Sequence, residues 1–504
     1  MAYYGLLMTA GMSVWLLVKR WRLAGWRTLL TSAGGLAVAA VVGVLLAAVY
    51  LLPLMELTAF STRQVSLKSR DAYPLPNFLH ALIDQDFLSH SYQILTQLRK
   101  VPSIFQLGKV PSILNTLIHQ PLSPGVPWEY MVTPGLVVLA LALFAVLTYW
   151  RKAWPLAIGV VLVAGLAMGN ASPFYLLAAR ILPDFDRFRG LARIWFVALV
   201  LIALLAGLGT ESLLRSLSRM SSHGTVVAGY LMVLVVAFTL VVTDMGYAHS
   251  NDVRVATTPS LLARTAAQLA GSERIYDVQR NIPQVSAVQL QICLADGSDP
   301  LLIEPYVSYM QSAGGYTSSR YQPQIPYYDS RWVQPNAVLL GLMHVSIVVS
   351  RRPLTDRHFV RVAKVDGSLI YKNTADAGSA YLVRPRQNGH PPSLDTTRVH
   401  TLVQTPEQDT FTFSTRTVEY FVIATPAFPG WTAELDGHPA PILWMAGAMP
   451  AIKVGPGMHT LSYIYAPLSV HLGAMLSVVG LLVALAWFIA GRCFKPGNPD
   501  YLCP

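Results

Sequence analysis

Seven stretches of this chain contain no Lys, Arg, Asp or Glu: residues 2–18, 29–54, 131–150, 153–169, 194–210, 225–243 and 468–490. At 1.5 Å of rise per residue, about 20 apolar residues cross the ~30 Å hydrocarbon layer of a bilayer. Lipid offers the backbone no hydrogen-bond partners, so such stretches must fold as helices that satisfy themselves. Two of them, 153–169 and 194–210, are near the short limit; the first fits a partly re-entrant segment as well, and the second is expected to continue past Glu211. Charged residues make up 12% of the 504 positions, against about 25% in an ordinary soluble domain. The deficit is local, because residues 244–467 have a normal mixture. A soluble enzyme, a disordered scaffold and a protein with a lone membrane anchor are excluded. The expected fold is a polytopic α-helical membrane protein of seven spans with an extracytoplasmic α+β domain ending in a β-sandwich. Residues 1–243 would hold six spans with external loops 55–130 and 170–193, residues 244–467 the aqueous domain, and 468–504 the last span and a short tail.

The net charge of +11 has a location. Residues 244–467 carry 17 Lys+Arg and 17 Asp+Glu, so the whole excess flanks the apolar stretches. That placement reads as topology and contact with lipid headgroups, not as nucleic-acid binding. Lys19, Arg20, Arg22 and Arg27 separate the first two stretches, Arg151 and Lys152 the third and fourth, and Arg215 and Arg219 the fifth and sixth. Arg492 and Lys495 follow the seventh. Alternation puts all four clusters on one side, which is then cytoplasmic, with the large domain outside. Met1 starts almost inside a span with no basic region before it, so no cleavable signal peptide is expected. An outward N-terminus of this kind suggests further helices upstream, or a separate N-terminal subunit. Three cysteines, Cys293, Cys493 and Cys503, make no disulfide framework.

Local pattern places the secondary structure of the aqueous block. Ser260 to Leu269 and Asn336 to Met343 read as helices, and Arg274–Val278 and His344–Ser350 as strands. From Thr410 the pattern is all-β: Thr410–Arg416, Tyr420–Thr425, Trp431–Leu435, Ala440–Trp444 and His459–Tyr465, with Asp436-Gly437 as a two-residue turn. In the second apolar stretch Gly35, Ala39 and Gly43 recur every fourth position, a spacing that admits a close neighbouring helix.

No nucleotide loop, dinucleotide fingerprint, zinc helix or nucleophile elbow occurs in a supporting context. The spans hold no internal acid or base except His471, which argues against a proton-coupled transporter. The densest charged patch near the membrane is Pro183 to Arg193. Its Arg187, Arg189 and Arg193 are candidate phosphate ligands, and on a helix Arg189 and Arg193 would share a face. The competing reading has them snorkel to headgroups or pair with Asp184 and Asp186. Glu56, Arg63 and Glu129 are candidate accessory residues, though Glu56, Ser61 and Arg63 equally fit a helix end, and Trp128, Glu129 and Tyr130 an aromatic belt. His80, Asp84, Asp86 and His90 do not converge on one helix face, so neither a metal nor another cofactor is expected.

The same landmarks resemble the bacterial YfhO-like membrane protein family. They are Leu52-Pro53-Leu54-Met55-Glu56-Leu57 with Ser61-x-Arg63, Trp128-Glu129-Tyr130, Gly169-Asn170-x-Ser172-Pro173-Phe174-Tyr175 and the Arg187–Arg193 patch. In the aqueous block they are Asp296-Gly297-x-Asp299-Pro300-Leu301, Tyr371-Lys372-Asn373 and Phe428-Pro429-Gly430-Trp431-x-Ala433-x-Leu435-Asp436-Gly437. Gly457-x-His459-Thr460 and Tyr465-Ala466-Pro467 follow. The resemblance implies a glycosyltransferase-like (GT-C-like) protein, or its C-terminal portion, that transfers sugar from a polyprenyl-phosphate donor to a cell-envelope polymer. Its partners would be membrane lipids, the lipid-linked sugar and a glycan acceptor. The family's acid in the first external loop has no counterpart here, so no catalytic residue is carried over. The alternative is a non-catalytic envelope protein whose β-domain binds glycan or a partner subunit.

Overall fold

The computed structural model of the chain describes residues 17, 25–27, 30–64, 134–169, 172–181, 185, 191–219, 222–247, 258–317, 324–326, 334–384, 393–395 and 399–493. Its first helices are α1 (Gly25–Leu46), α2 (Ala48–Phe60), α3 (Leu136–Thr148), α4 (Trp150–Ala167), α5 (Pro173–Ile181), α6 (Trp195–Ser218) and α7 (Ser222–Tyr247). Among the described residues, α1, α4, α6, α7 and a C-terminal helix (Leu468–Cys493) are long and apolar enough to cross a membrane. Of the seven expected spans, these five have that length among the described residues, and two shorter apolar helices, α2 and α3, stand beside them. Stretch 2–18 lies outside the described residues apart from Leu17. Stretch 29–54 is broken at Ala47, and its second piece runs on through Glu56 to Phe60. Stretch 131–150 yields only the 13 residues of α3, about 20 Å of helix and too short for the hydrocarbon layer. Only Tyr149 separates α3 from α4, so Arg151 and Lys152 occupy the first turn of α4 instead of a loop. Helix α6 does continue past Glu211.

Helices α3 to α7 belong to one compact unit. Its core is a seam of small residues, with Ala142 and Ala145 on α3 packed near Ala198, Ile202, Leu205 and Ala206 on α6. A side chain on Gly209 would collide with the Leu141 carbonyl, so the two backbones touch. Thr148 and Ser212 join their hydroxyls at 2.9 Å across the same seam. Small residues permit this approach, and dispersion and hydrogen bonds then replace the hydrophobic driving force that lipid cannot supply.

The second unit combines residues 20–65 with 253–504. After α1 and α2 it contains α8 (Leu261–Ala270), β1 (Arg274–Asp277), α9 (Gln284–Leu290), β2 (Cys293–Leu294), β3 (Gly297–Ser298), α10 (Glu304–Gly314), β4 (Gln324–Ile325), α11 (Ala337–Leu342), β5 (Val345–Ser350), β6 (Phe359–Val365) and β7 (Ser368–Asn373). Next come β8 (Ala380–Arg384), β9 (Ser393–Asp395), β10 (Val399–Gln404), β11 (Gln408–Thr415), β12 (Glu419–Ile423), β13 (Trp431–Leu435), β14 (His438–Ala440), β15 (Ile442–Met445), β16 (Met449–Val454), β17 (Gly457–Tyr465) and α12 (Leu468–Cys493).

Helix α12 holds the α1–α2 break. The Val49 N–H donates to Ser477 Oγ at 3.0 Å, while that hydroxyl lies 3.1 and 3.0 Å from the carbonyls of Leu45 and Leu46. One serine thus serves groups that the interrupted helix leaves without their usual partners. Gly473 and Gly480 flank it; an added Cβ would come within 2.6 Å of the Ala48 carbonyl and 2.8 Å of Leu45 Cβ. Among the described residues no atom lies within 4 Å of a Cβ added at Gly35 or Gly43, the positions where a close neighbouring helix was expected.

The first half of the aqueous domain is a sheet of order β2-β1-β5-β7-β6, with β1 parallel to both neighbours. Helix α8 buries Leu262, Ala263 and Ala266 against Ile275, Ile347 and Val349 on one face. Helices α10 and α11 bring Met310 and Leu340 to Tyr276 and Val348 on the other. Every residue of β5 is therefore buried, including Ser346 and Ser350 among its apolar neighbours. Ser260 and Asn336 cap α8 and α11 by accepting from the backbone N–H three residues on.

The second half is a sandwich of two antiparallel sheets, β10-β11-β17-β13-β14 and β15-β16-β12-β8-β9. Phe411, Phe413, Phe421, Leu461 and Tyr463 fill the space between them. The other face of the second sheet, through Tyr381, Val422 and Met449, closes the core under α10 and α11. Two expectations are corrected. The single strand Ala440–Trp444 is two strands in opposite sheets, because Pro441 cannot donate to a ladder and the chain changes sheets there. The all-β region begins well before Thr410: among the described residues no helix lies between 343 and 467.

Candidate functional site

Within the second unit, the aqueous domain is fastened to the apolar pair α2–α12 at two points. Past Ser61, which bridges Ile303, the Thr62 N–H donates to the Leu302 carbonyl at 3.0 Å. On the other strand, β17 leads through Pro467 directly into α12. Ser469 Oγ donates to the Glu56 carboxylate, linking the starts and ends of the two helices. Above this bond the rings of Phe60 and Phe428 meet edge-on at 5.9 Å, and Trp431 stacks on Tyr463 at 4.4 Å. Gly430, at φ 93°, brings its backbone so near that an added Cβ would lie 2.7 Å from Pro467 Cβ. The motif Phe428–Gly437 therefore has a structural role, seating the sandwich on its helices.

The end of that motif is a hairpin turn. Asp436 and Gly437 both have positive φ, 53° and 78°, the conformation a two-residue primed turn requires. The Asp436 carboxylate accepts from the Thr460 N–H at 2.8 Å and pairs with His459 Nδ1 at 2.8 Å. The His459 hydrogen bond is the main cause that holds this carboxyl below its ordinary range. Gly457-x-His459-Thr460 is thereby explained as the partner of the turn.

A second cluster sits where β1 and β2 end side by side. Asp277 is fully buried and its carboxylate accepts from the N–H of Gln279 and Ile282 and from Asn281 Nδ2, at 3.2, 2.8 and 2.9 Å. Asp296 accepts from the Asp277 N–H at 3.0 Å. Burial pushes both carboxyls up, and for Asp296 the Asp277 charge adds to the effect. Tyr276, Tyr306 and Tyr316 crowd the same region, their phenols also pushed up by burial. The carboxyl ends of adjacent parallel strands are where open α/β sheets collect ligands, yet here the acids organise their own loop. Sequence reasoning met Asp296 only in a motif and missed Asp277, whose signal was an acid ending an apolar strand.

The pH dependence of this pair can be stated. A carboxyl with a raised folded pKa binds more protons folded than unfolded from about pH 4 upward, so its contribution to stability is complete below that pH and declines as pH rises through the folded value. Asp296→Asn keeps an oxygen for the Asp277 N–H and removes the titration. Thermal melts of the purified full chain from acid to neutral pH should therefore fall less steeply in the variant than in the wild type. Parallel curves would refute the assignment.

Of the other expected site residues, the structure describes Arg193, Arg63 and Glu56. Arg187, Arg189 and Glu129 lie outside the described residues, as do Trp128, Tyr130, His80, Asp84, Asp86, His90, Asp184 and Asp186. Arg193 is exposed in a 3-10 turn, Leu191–Ile194, that runs into α6 at Trp195. Arg63 is half-buried in the 3-10 turn Thr62–Gln64, with its N–H on Ser61 Oγ at 3.2 Å. Glu56 belongs to α2 and is engaged by Ser469. Among the described residues no group of three or more His, Cys, Asp or Glu is placed to hold a metal ion. Cys293 is an exposed free thiol.

The fold and this site define a membrane-type chain with an α/β-plus-sandwich domain. Comparison with protein-family models, curated proteins and solved structures returns no match for it.

Proposed function

We propose that this chain is an envelope membrane protein that engages a polyprenyl-phosphate-linked sugar at the outer bilayer surface, the arginines of the 187–193 patch taking the phosphate. The observation that carries the reading is Arg193, an exposed guanidinium at the N-terminal mouth of a span-length helix. A polyprenyl phosphate keeps its tail in the bilayer and its charge at the interface, where it needs a permanent cation with a planar fork of donors. The resemblance of the landmark motifs to YfhO-like proteins points to the same substrate class. In a glycosyltransferase reading, the chain or a larger assembly transfers the sugar to an envelope polymer. Glu56, the one candidate acid described, is tied to Ser469, which favours a binding role for this part of the machinery.

A charge-assisted contact to phosphate contributes about 1.5–3 kcal/mol. Purified, folded Arg193→Gln protein should therefore bind a polyprenyl-phosphate analogue at least tenfold more weakly, by roughly the 1.4 kcal/mol per decade of affinity. Unchanged affinity would leave headgroup snorkelling as the account of Arg193. Incorporation of labelled sugar from a polyprenyl-phosphate donor into an envelope polymer by the purified wild type would decide for the transferase reading.

A further inference from the structure

Beside the Ser61–Ile303 bridge the structure contains a cleft of about 330 Å³. One wall is the outer face of α10, where Glu304, Ser308 and Ser312 stand four residues apart and are exposed. Eight residues of helix span about 12 Å, so this polar stripe is long enough for one or two sugar rings. The facing wall is Leu339 with the turn between β15 and β16. In that turn Ala446 and Gly447 have φ of 50° and 68°. A left-handed alanine costs about 1–2 kcal/mol, and such strain is retained where a wall must keep a particular shape.

The chemistry of the lining is selective. Among the described residues Glu304 is the only charged one bordering the cleft, so an anionic ligand would meet repulsion with no described cation to offset it. A carboxylate and two hydroxyls in a row accept from and donate to neighbouring hydroxyls of a polyol. Pro305, Leu339 and the Ala446 methyl offer an apolar surface for a ring's C–H face. Mixed clefts of this size, mostly apolar with a few placed polar groups, are the usual form of small-ligand sites. We propose that this cleft binds a neutral sugar, with Glu304, Ser308 and Ser312 taking its hydroxyls and Pro305, Leu339 and Ala446 facing its carbon skeleton. The inference deepens the function proposed above, and rests on it only for the sugar's source: Glu304 directly follows the residue that bridges the end of α2, so a glycolipid headgroup and a free glycan both reach it.

The full chain is purified in a detergent without a sugar headgroup and titrated with maltose, lactose and chitobiose, with their alkyl glycosides below micelle formation, and with digalacturonate. Ligand-detected NMR should show saturable binding of at least one neutral disaccharide and none of digalacturonate. Glu304→Gln and Ser308→Val should each weaken that binding at least tenfold with unchanged melting temperature, and Ser308→Leu, which fills the cleft, should abolish it. Glu434→Gln on β13 serves as the unaffected control. Tighter binding of the alkyl glycoside assigns the site to a lipid headgroup, and equal binding assigns it to a soluble glycan. No binding by any neutral sugar, or equal binding in all variants, overturns the proposal. Failure of Arg193→Gln to weaken polyprenyl-phosphate binding would remove the function proposed above and leave free-disaccharide binding at Glu304 standing.

Discussion

Replacing Phe421 by alanine is expected to cost the full-length protein about 3–5 kcal/mol, the range for deleting a buried ring from a core that cannot collapse onto the gap. Phe421 has no exposed surface and lies at the centre of the sandwich. Its ring stacks on Phe413 at 4.4 Å and meets Phe411 at 5.2 Å. Its backbone pairs with Leu382 on one side and Ile452 on the other, so the surrounding strands cannot move inward without losing ladder bonds. Phe421→Leu keeps most of the volume and should cost less than half as much. Thermal unfolding of the full-length protein followed by the β-sheet signal in circular dichroism gives the measurement. An alanine variant melting with the wild type would mean that the two sheets are not packed through this ring.

Gly209→Val should be as damaging in the other unit. A Cβ at this position runs into the Leu141 carbonyl and lies 3.3 Å from the Ala145 N–H nitrogen, and both belong to the backbone of α3, which cannot rotate aside as a side chain can. The helices must separate, losing the Ala142–Ala206 seam and the Thr148–Ser212 hydrogen bond together. Overpacking of a tight contact costs about 1–3 kcal/mol when neighbours can adjust, and more is expected where only backbone is available to yield. Gly207 is the internal control: a Cβ there meets nothing within 4 Å, so Gly207→Ala should be neutral or gain up to about 1 kcal/mol of helix propensity. Comparable yields of monodisperse protein from Gly209→Val and Gly207→Ala would contradict the geometry.

The resemblance motifs show how far a pattern of residues can be read as function. Phe428–Gly437 was the most distinctive signal in the chain, and its residues fasten a sandwich to a helix pair. Tyr371-Lys372-Asn373 behaves alike: Asn373 is buried, and its amide donates to the Ala337 and Val345 carbonyls at 2.9 Å each. Specific sequence here reflects specific packing. The cleft beside α10, by contrast, left no motif, because Glu304, Ser308 and Ser312 at helical spacing look like any solvated face until the β15–β16 turn is placed opposite them.

What the sequence determined by itself follows from local physics. Charge-free stretches can only be helices in lipid, a Ser or Asn before an apolar periodic run caps a helix, and Asp-Gly between alternating strands turns a hairpin. Span-length helices, the helical patterns beginning at Ser260 and Asn336, the turn at Asp436 and the β-rich end of the domain were accordingly legible. Tertiary structure decided everything that depends on residues far apart in the chain. The break at Ala47 becomes tenable because Ser477, more than 400 positions away, supplies the missing hydrogen bonds. The parallel pairing of β1 with β2 and β5, the change of sheet at Pro441 and the burial of Asp277 beside Asp296 have the same origin. Each is set by which surfaces meet, and no local spacing encodes that.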